Sequence, residues 1–202
     1  MSISYTWQQC KSNEWTDPLC WTGSTGFPNS NDVNTNITIT SDLTISFSGQ
    51  PYGFQVGNLN ITTSNGSALS FKLPASGSGE MTIYSLNGNA NLNLTSGGFY
   101  VIASTSEYNG SISVQNSILT LYQSLPNAKI ELVQSLMQVN NEGTKIGSFS
   151  TDMASQIQIS GMGFSIGGTS CSLSSGRCGN YQCDAFSLPG VLQYCRLIRA
   201  AA

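Results

Sequence analysis

The chain has 202 residues, enough for one sizeable domain, and only 8% of them are charged, for a formal net charge of −3. Its seven basic residues are scattered and form no stripe able to neutralise phosphates, which argues against nucleic acid and against an anionic membrane surface as partners. Ser, Thr, Asn and Gly replace the missing charge, a composition suited to secreted β-rich proteins that stay soluble through hydroxyls and amides.

The first 32 residues concentrate Cys10 and Cys20 with Trp7, Trp15 and Trp21. The opening "MSISYTWQQC" lacks the apolar core of a signal peptide, and the closing "AAA" at 200–202 resembles a cloning scar, so the expectation is a fragment of a mature protein. No apolar run approaches the length of a membrane span. The five sequons, at Asn36, Asn60, Asn65, Asn93 and Asn109, are candidate N-glycosylation sites in a secretory context.

Residues 33–168 are a succession of short alternating runs, among them "NITITSDLTIS", "ANLNLT", "SISVQ", "ILTLYQ", "KIELV" and "LMQVN", with Gly, Asn and Ser between them. Period-two alternation of this kind is the strand-and-turn signature, and helical spacing is absent. Ile112 and Val114 recur 18 residues later as Ile130 and Leu132, and Ile118 and Leu121 recur as Leu136 and Val139. Twenty residues back from Ile112 and Val114 stand Leu92 and Leu94. "QIQIS" and "FSIGG" read as a further unit after an insertion near 147–156.

Units of this length fit the coils of a right-handed parallel β-helix, an all-β solenoid of about six or seven rungs. Each coil is too flat to bury its inner residues alone. Stacking at roughly 4.8 Å places Ile over Ile and Leu over Leu in one interior column, while Ser, Thr, Asn and Gln face outward. An antiparallel sandwich is the competing architecture. An open stack must cover its ends, so the spacing predicts a Trp/Cys cap over 1–32 and a Cys-rich cap over 169–199. Cys10 and Cys20 read as one disulfide, and Cys171, Cys178, Cys183 and Cys195 as two more, with three pairings open. The chain has no histidine and no C-x2-C knuckle, so no zinc or other metal site is expected.

Trp15, Asp17, Trp21, Gly23, Pro28, Asp32 and Val33, followed by Ile37 and Ile39, form a stretch that resembles the N-terminal cap and first rungs of large secreted β-helix proteins. Autotransporter-passenger-like adhesins and related extracellular repeat proteins belong to that group. The resemblance covers residues 15–46 and implies a secreted or cell-surface stalk, adhesin or wall component.

No catalytic residue, cofactor or metal ligand is assigned. Enzymes on β-helices need clustered carboxylates, and the five Asp and five Glu are spread out. Glu131 sits at an outward position, with Ser113 and Phe149 at 18-residue offsets and no acid stacked on it. "GMGFSIGGTS" lacks the lysine and helix of a phosphate loop and reads as a turn between rungs. The expected function is a non-enzymatic structural or adhesion module, binding cell-surface or matrix carbohydrate or protein, or associating with itself. The alternatives are a carbohydrate-active β-helix enzyme (polysaccharide lyase or hydrolase), a carbohydrate-binding domain of one and, more distantly, an ice-binding solenoid. Tyr84, Tyr100, Tyr108 and Tyr122 are candidate glycan contacts, since exposed aromatic rings stack on sugars.

Overall fold

The computed structural model describes residues 3–47, 53–74, 79–96, 98–103, 107–141, 143–152, 154–159, 165–166, 169–172, 177–178, 181–187 and 193–199. Residues 31 and 32 and the last four of these segments are described as backbone only. Two short strands open the chain, β1 (Ile3–Trp7) and β2 (Trp21–Thr22). Seven successive strand pairs follow: β3 (Ser30–Ile39) with β4 (Leu43–Ser46), β5 (Phe54–Thr63) with β6 (Ala68–Lys72), and β7 (Glu80–Gly88) with β8 (Asn91–Thr95). Next come β9 (Phe99–Ile102) with β10 (Ser111–Gln115), β11 (Ile118–Leu121) with β12 (Leu125–Val133), β13 (Leu136–Val139) with β14 (Lys145–Thr151), and β15 (Gln156–Ile159) with β16 (Ser165–Ile166).

Each pair is one coil of a parallel β-solenoid. The odd-numbered members from β3 to β15 stack in parallel as the first sheet, and β4 to β16 stack as the second. The repeats read from the sequence are the observed registers. Ile112 and Val114 lie against Leu92 and Leu94 on one side and Ile130 and Leu132 on the other, and Ile118 and Leu121 lie against Leu136 and Val139.

Two expectations are corrected and one is refined. Ile118 and Leu136 are half-buried positions on the outer face, and their neighbours Leu119 and Met137 fill the interior. "ILTL" carries two adjacent apolar residues, and alternation allows only one of them inside. The insertion expected near 147–156 is two residues long: the coil lengthens from 18 residues (Thr120 to Gln138) to 20 (Gln138 to Gln158). The residue across from Glu131 in the next coil is therefore Ser150, not Phe149, and Phe149 points inward.

The interior is a continuous column in which Leu92, Ile112, Ile130 and Leu94, Val114, Leu132 are fully buried. At about 1.5–3 kcal/mol for each buried aliphatic side chain, this column supplies the main cohesion of the stack. Glycine is required where β7 turns into β8. Gly88 has φ +112, and a Cβ there would lie 1.9 Å from the Ile61 carbonyl oxygen of the coil below.

The N-terminal segment is more than a lid. β1 runs parallel to β3, and Glu14 bridges Ser46 beside β4, so residues 3–15 form a partial coil beneath the first complete one. β2 then pairs antiparallel with β1 over two residues and ends the sheet there. Trp7, Trp15 and Trp21 are all buried. Trp15 stacks on Phe47 with centroids 5.1 Å apart and meets Phe71 edge-on, while Trp21 stands edge-on to Trp7 and Trp15. Two of the indole N–H groups find carbonyls, Trp15 Nε1 donating to that of Pro28 and Trp21 Nε1 to that of Trp15, both at 2.8 Å. Cys10 and Cys20 form the expected disulfide.

At the other end the Cys-rich segment is a set of antiparallel strands. β17 (Thr169–Ser172), β18 (Arg177–Cys178), β19 (Tyr181–Ser187) and β20 (Gln193–Arg199) follow the last coil, and β20 pairs with β15. Cys171 and Cys178 are register partners, as are Ala185 and Cys195. The side chains of Cys171, Cys178, Cys183 and Cys195, and with them the two further bridges, lie outside the described residues.

Candidate functional site

The outward side chains of the second sheet are polar from coil to coil. One column runs Ser70, Asn93, Ser113, Glu131, Ser150, and a second runs Asn91, Ser111, Lys129, Ser148. Asn93 Nδ2 donates to Ser70 Oγ at 3.1 Å and Ser111 Oγ to Asn91 Oδ1 at 2.7 Å, so each column is hydrogen-bonded at its first step. The early coils of the first sheet are similar. Asn60 donates to Asn36, Asn87 to Asn58, and the hydroxyls of Thr38 and Thr62 meet at 3.2 Å.

The later coils of the first sheet differ. There the outermost column runs Glu80, Phe99, Ile118, Leu136, Gln156. The next runs Thr82, Val101, Thr120, Gln138, Gln158, where Thr120 Oγ1 donates to Gln138 Oε1 and Gln138 Nε2 to Gln158 Oε1, each at 3.1 Å. Tyr84, Ala103 and Tyr122 follow Ile83, Ile102 and Leu121, which lie in register, so they form a third column. Phe99 is 40% and Tyr122 43% exposed.

Beside the Phe99 column the chain turns from the second sheet into the first, and the turns stack. Ser96, Asn116 and Gln134 occupy successive corners with φ of +80, +49 and +49. The left-handed region is costly for residues other than Gly, Asn and Asp, and Gln134 adopts it within a tightly bonded turn. Ser117, Ser135 and Ser155 are buried directly behind. The Ser117 N–H donates to Ser135 Oγ at 3.2 Å and the Ser135 N–H to Ser155 Oγ at 3.1 Å. The Ser135 hydroxyl donates to a backbone carbonyl, with those of Val133 and Val114 at 2.7 and 2.9 Å. Asp152 fastens the last corner, accepting from Ser155 Oγ at 2.5 Å, from the Ser155 N–H and from the Gln134 N–H. The Ser155 hydroxyl, more than the backbone N–H groups, holds its carboxyl below the ordinary range.

These corners and the column beside them enclose an open groove of about 440 Å³, lined by Asn116, Gln134, Ile118, Leu136, Ala154 and Gln156, with Ser117 and Ser135 at its floor. The side-chain amides of Asn116, Gln134 and Gln156 make no hydrogen bond among the described residues. The groove carries no charged side chain. Sequence reasoning missed it because Ile118 and Leu136 were assigned inside. The readable signal was the adjacent apolar pair in "ILTL" and "LMQV".

Of the four tyrosines expected to meet a glycan, two are core residues. Tyr100 is fully buried and donates to a backbone carbonyl, with those of Phe71 and Thr95 each 3.0 Å away. Tyr108 is buried against the Ala90 carbonyl. Burial raises the phenol pKa of both above its usual value. A tyrosine on an inward position folds into the column once its hydroxyl finds a carbonyl. Tyr84 and Tyr122 remain on the outer face.

Among the sequons, Asn36 and Asn60 are register partners in adjacent coils, Asn65 donates to the Thr40 carbonyl at 2.6 Å, Asn93 belongs to a ladder, and Asn109 is exposed. Several acids serve turns. Asp17 caps the 3-10 turn Pro18–Cys20 and accepts from Ser12 Oγ at 2.6 Å, and Asp42 accepts from the Ala68 N–H at 2.9 Å, whereas Glu80, within β7, accepts from Thr82 Oγ1 at 3.1 Å. Among the described residues no three His, Cys, Asp or Glu side chains converge, and no helix is long and apolar enough to cross a membrane. Comparison of the chain with protein-family models, with curated proteins and with solved structures gave no match.

Proposed function

We propose that the chain is a non-enzymatic extracellular module, a rigid stalk, coat or adhesion segment whose work is to hold and present a surface. The observation that carries this reading is how its reactive side chains are employed. Asp17, Asp42 and Asp152 each fasten a turn through backbone N–H groups, and several outward amides and hydroxyls join adjacent coils. A scaffold uses carboxylates in this dispersed way, whereas a polysaccharide lyase or hydrolase aims two or three at one bond.

The Cys10–Cys20 bridge supports an oxidising compartment and hence secretion or display at a cell surface. The sparsely charged composition supports the same assignment. The test is incubation of the whole chain with neutral and anionic polysaccharides, scoring new reducing ends and unsaturated products. The expected result is no turnover above a heat-denatured control. Turnover abolished by a single Asp or Glu substitution would overturn the reading.

A further inference from the structure

We propose that the outer corner of the later coils is a binding groove for an uncharged polysaccharide lying along the solenoid axis. Asn116, Gln134 and Gln156 would grip its hydroxyls, and Phe99, Ile118 and Leu136 would support its apolar ring faces. This rests on the reading of the chain as a presenting surface and names what that surface takes.

Four observations meet at this place. The first is shape: a groove of about 440 Å³ falls within the size range of ligand sites. The second is polarity. The lining mixes aliphatic side chains with amides and holds no charge, which suits a ligand that is itself neutral and amphipathic. An ionic ligand would find no counter-charge there, and a nucleic acid no cation.

The third is the state of the amides. Elsewhere on the stack the side chains of Asn60, Asn87, Asn93 and Gln138 are tied to the neighbouring coil. At the groove three amides make no bond among the described residues, and each offers two donors and an acceptor, the complement of vicinal hydroxyls. The fourth is periodicity. Asn116 and Gln134 stand in the same backbone conformation on successive corners, so equivalent groups repeat at about 4.8 Å along the axis. An extended sugar chain presents equivalent groups with a repeat of the same order. The outward apolar column is contiguous over three coils, and a contiguous patch on an otherwise polar exterior marks a contact surface.

A patch of this kind could also join two copies of the chain, and the test separates the cases. Neutral oligosaccharides of two to six residues (β-1,4-glucan, β-1,3-glucan, mannan and xylan series) are titrated into the intact chain by calorimetry, with oligogalacturonate as the anionic control. The expected result is binding by at least one neutral series, strengthening with chain length and insensitive to salt between 50 and 500 mM. Gln134→Ala and Leu136→Asp should each weaken it at least fivefold, while Lys129→Ala on the second sheet leaves it unchanged.

Circular dichroism melts confirm that each variant is folded, and Gln134→Ala, a surface change, serves if Leu136→Asp is not. Three results would each overturn the proposal: no binding by any neutral series, full affinity in both groove variants, or a monomer-to-dimer difference between wild type and Leu136→Asp in light scattering. The stalk reading survives all three if no polysaccharide is cleaved, so the two failures are distinguishable.

Discussion

The two sheets of this solenoid share an interior and differ outside. Behind both, Ile, Leu, Met and Phe stack in register. In front of the second sheet stand Ser, Asn, Lys and Glu, and in front of the later first sheet stand Phe99, Val101, Ile118, Leu136 and Tyr122. Cohesion of a β-solenoid depends on its inward positions, so the outward ones are free to vary, and on the second sheet they carry only what solubility and laddering need. The apolar columns on the first sheet answer to something else, and an external contact is the reading that fits them.

The widest separation is between inner and outer aromatics. Trp15→Ala removes a fully buried ring from the end plug and should cost about 3–5 kcal/mol in denaturant unfolding. Phe99→Ser, at a residue of the same class on the outer face, should change stability by less than about 1 kcal/mol. Equal losses would mean that the outer column is core.

The tyrosines sharpen the same division with a single atom. Tyr100→Phe removes the donor from a buried backbone carbonyl and should lose about 1–3 kcal/mol, whereas Tyr122→Phe should be close to neutral. A gain should come from Thr35→Val. Thr35 is buried in β3 with its hydroxyl unpaired, so an apolar replacement of similar shape should add about 1 kcal/mol to the unfolding free energy.

The smallest effect is one of pH. Hydrogen bonds, led by those from Ser12 and Ser155, lower the carboxyl pKa values of Asp17 and Asp152 in the folded chain. Their contribution is therefore fully present above the unfolded value of about 3.9 and fades as pH falls through the lower folded values. Melting temperature should be level from about pH 7 to 5 and fall below about pH 4, less steeply in the Asp17→Asn/Asp152→Asn variant. An unchanged acid limb in that variant would remove the two turns from the explanation.

Much of the stack was legible because inward positions obey strict rules. The 18-residue recurrence of Ile112 at Ile130 is the register itself, since a solenoid repeat can be read wherever each coil buries the same column. The disulfide between Cys10 and Cys20 and the burial of the three tryptophans followed from the need to close an end. The outer surface was not legible in this way. Tyr84 and Tyr100 differ only by which side of an alternating strand they fall on, and Tyr108 and Tyr122 stand outside the strands, where no alternation gives the phase. Ile118 was misplaced for the same reason, and with it the groove. The partial coil made by β1 and Glu14 was hidden because one strand and one bridge leave no repeat to compare.

The contrast between the faces is tested most directly by mapping amide chemical shifts of the 15N-labelled chain while a neutral oligosaccharide of the tightest-binding series is added. Shifts confined to Asn116–Tyr122, Gln134–Gln138 and Gln156, with Ser111–Val114 and Lys129–Leu132 of the second sheet unmoved, are the expected result. Shifts centred on the second sheet, or none at saturating sugar, would show that the apolar outer columns serve no glycan.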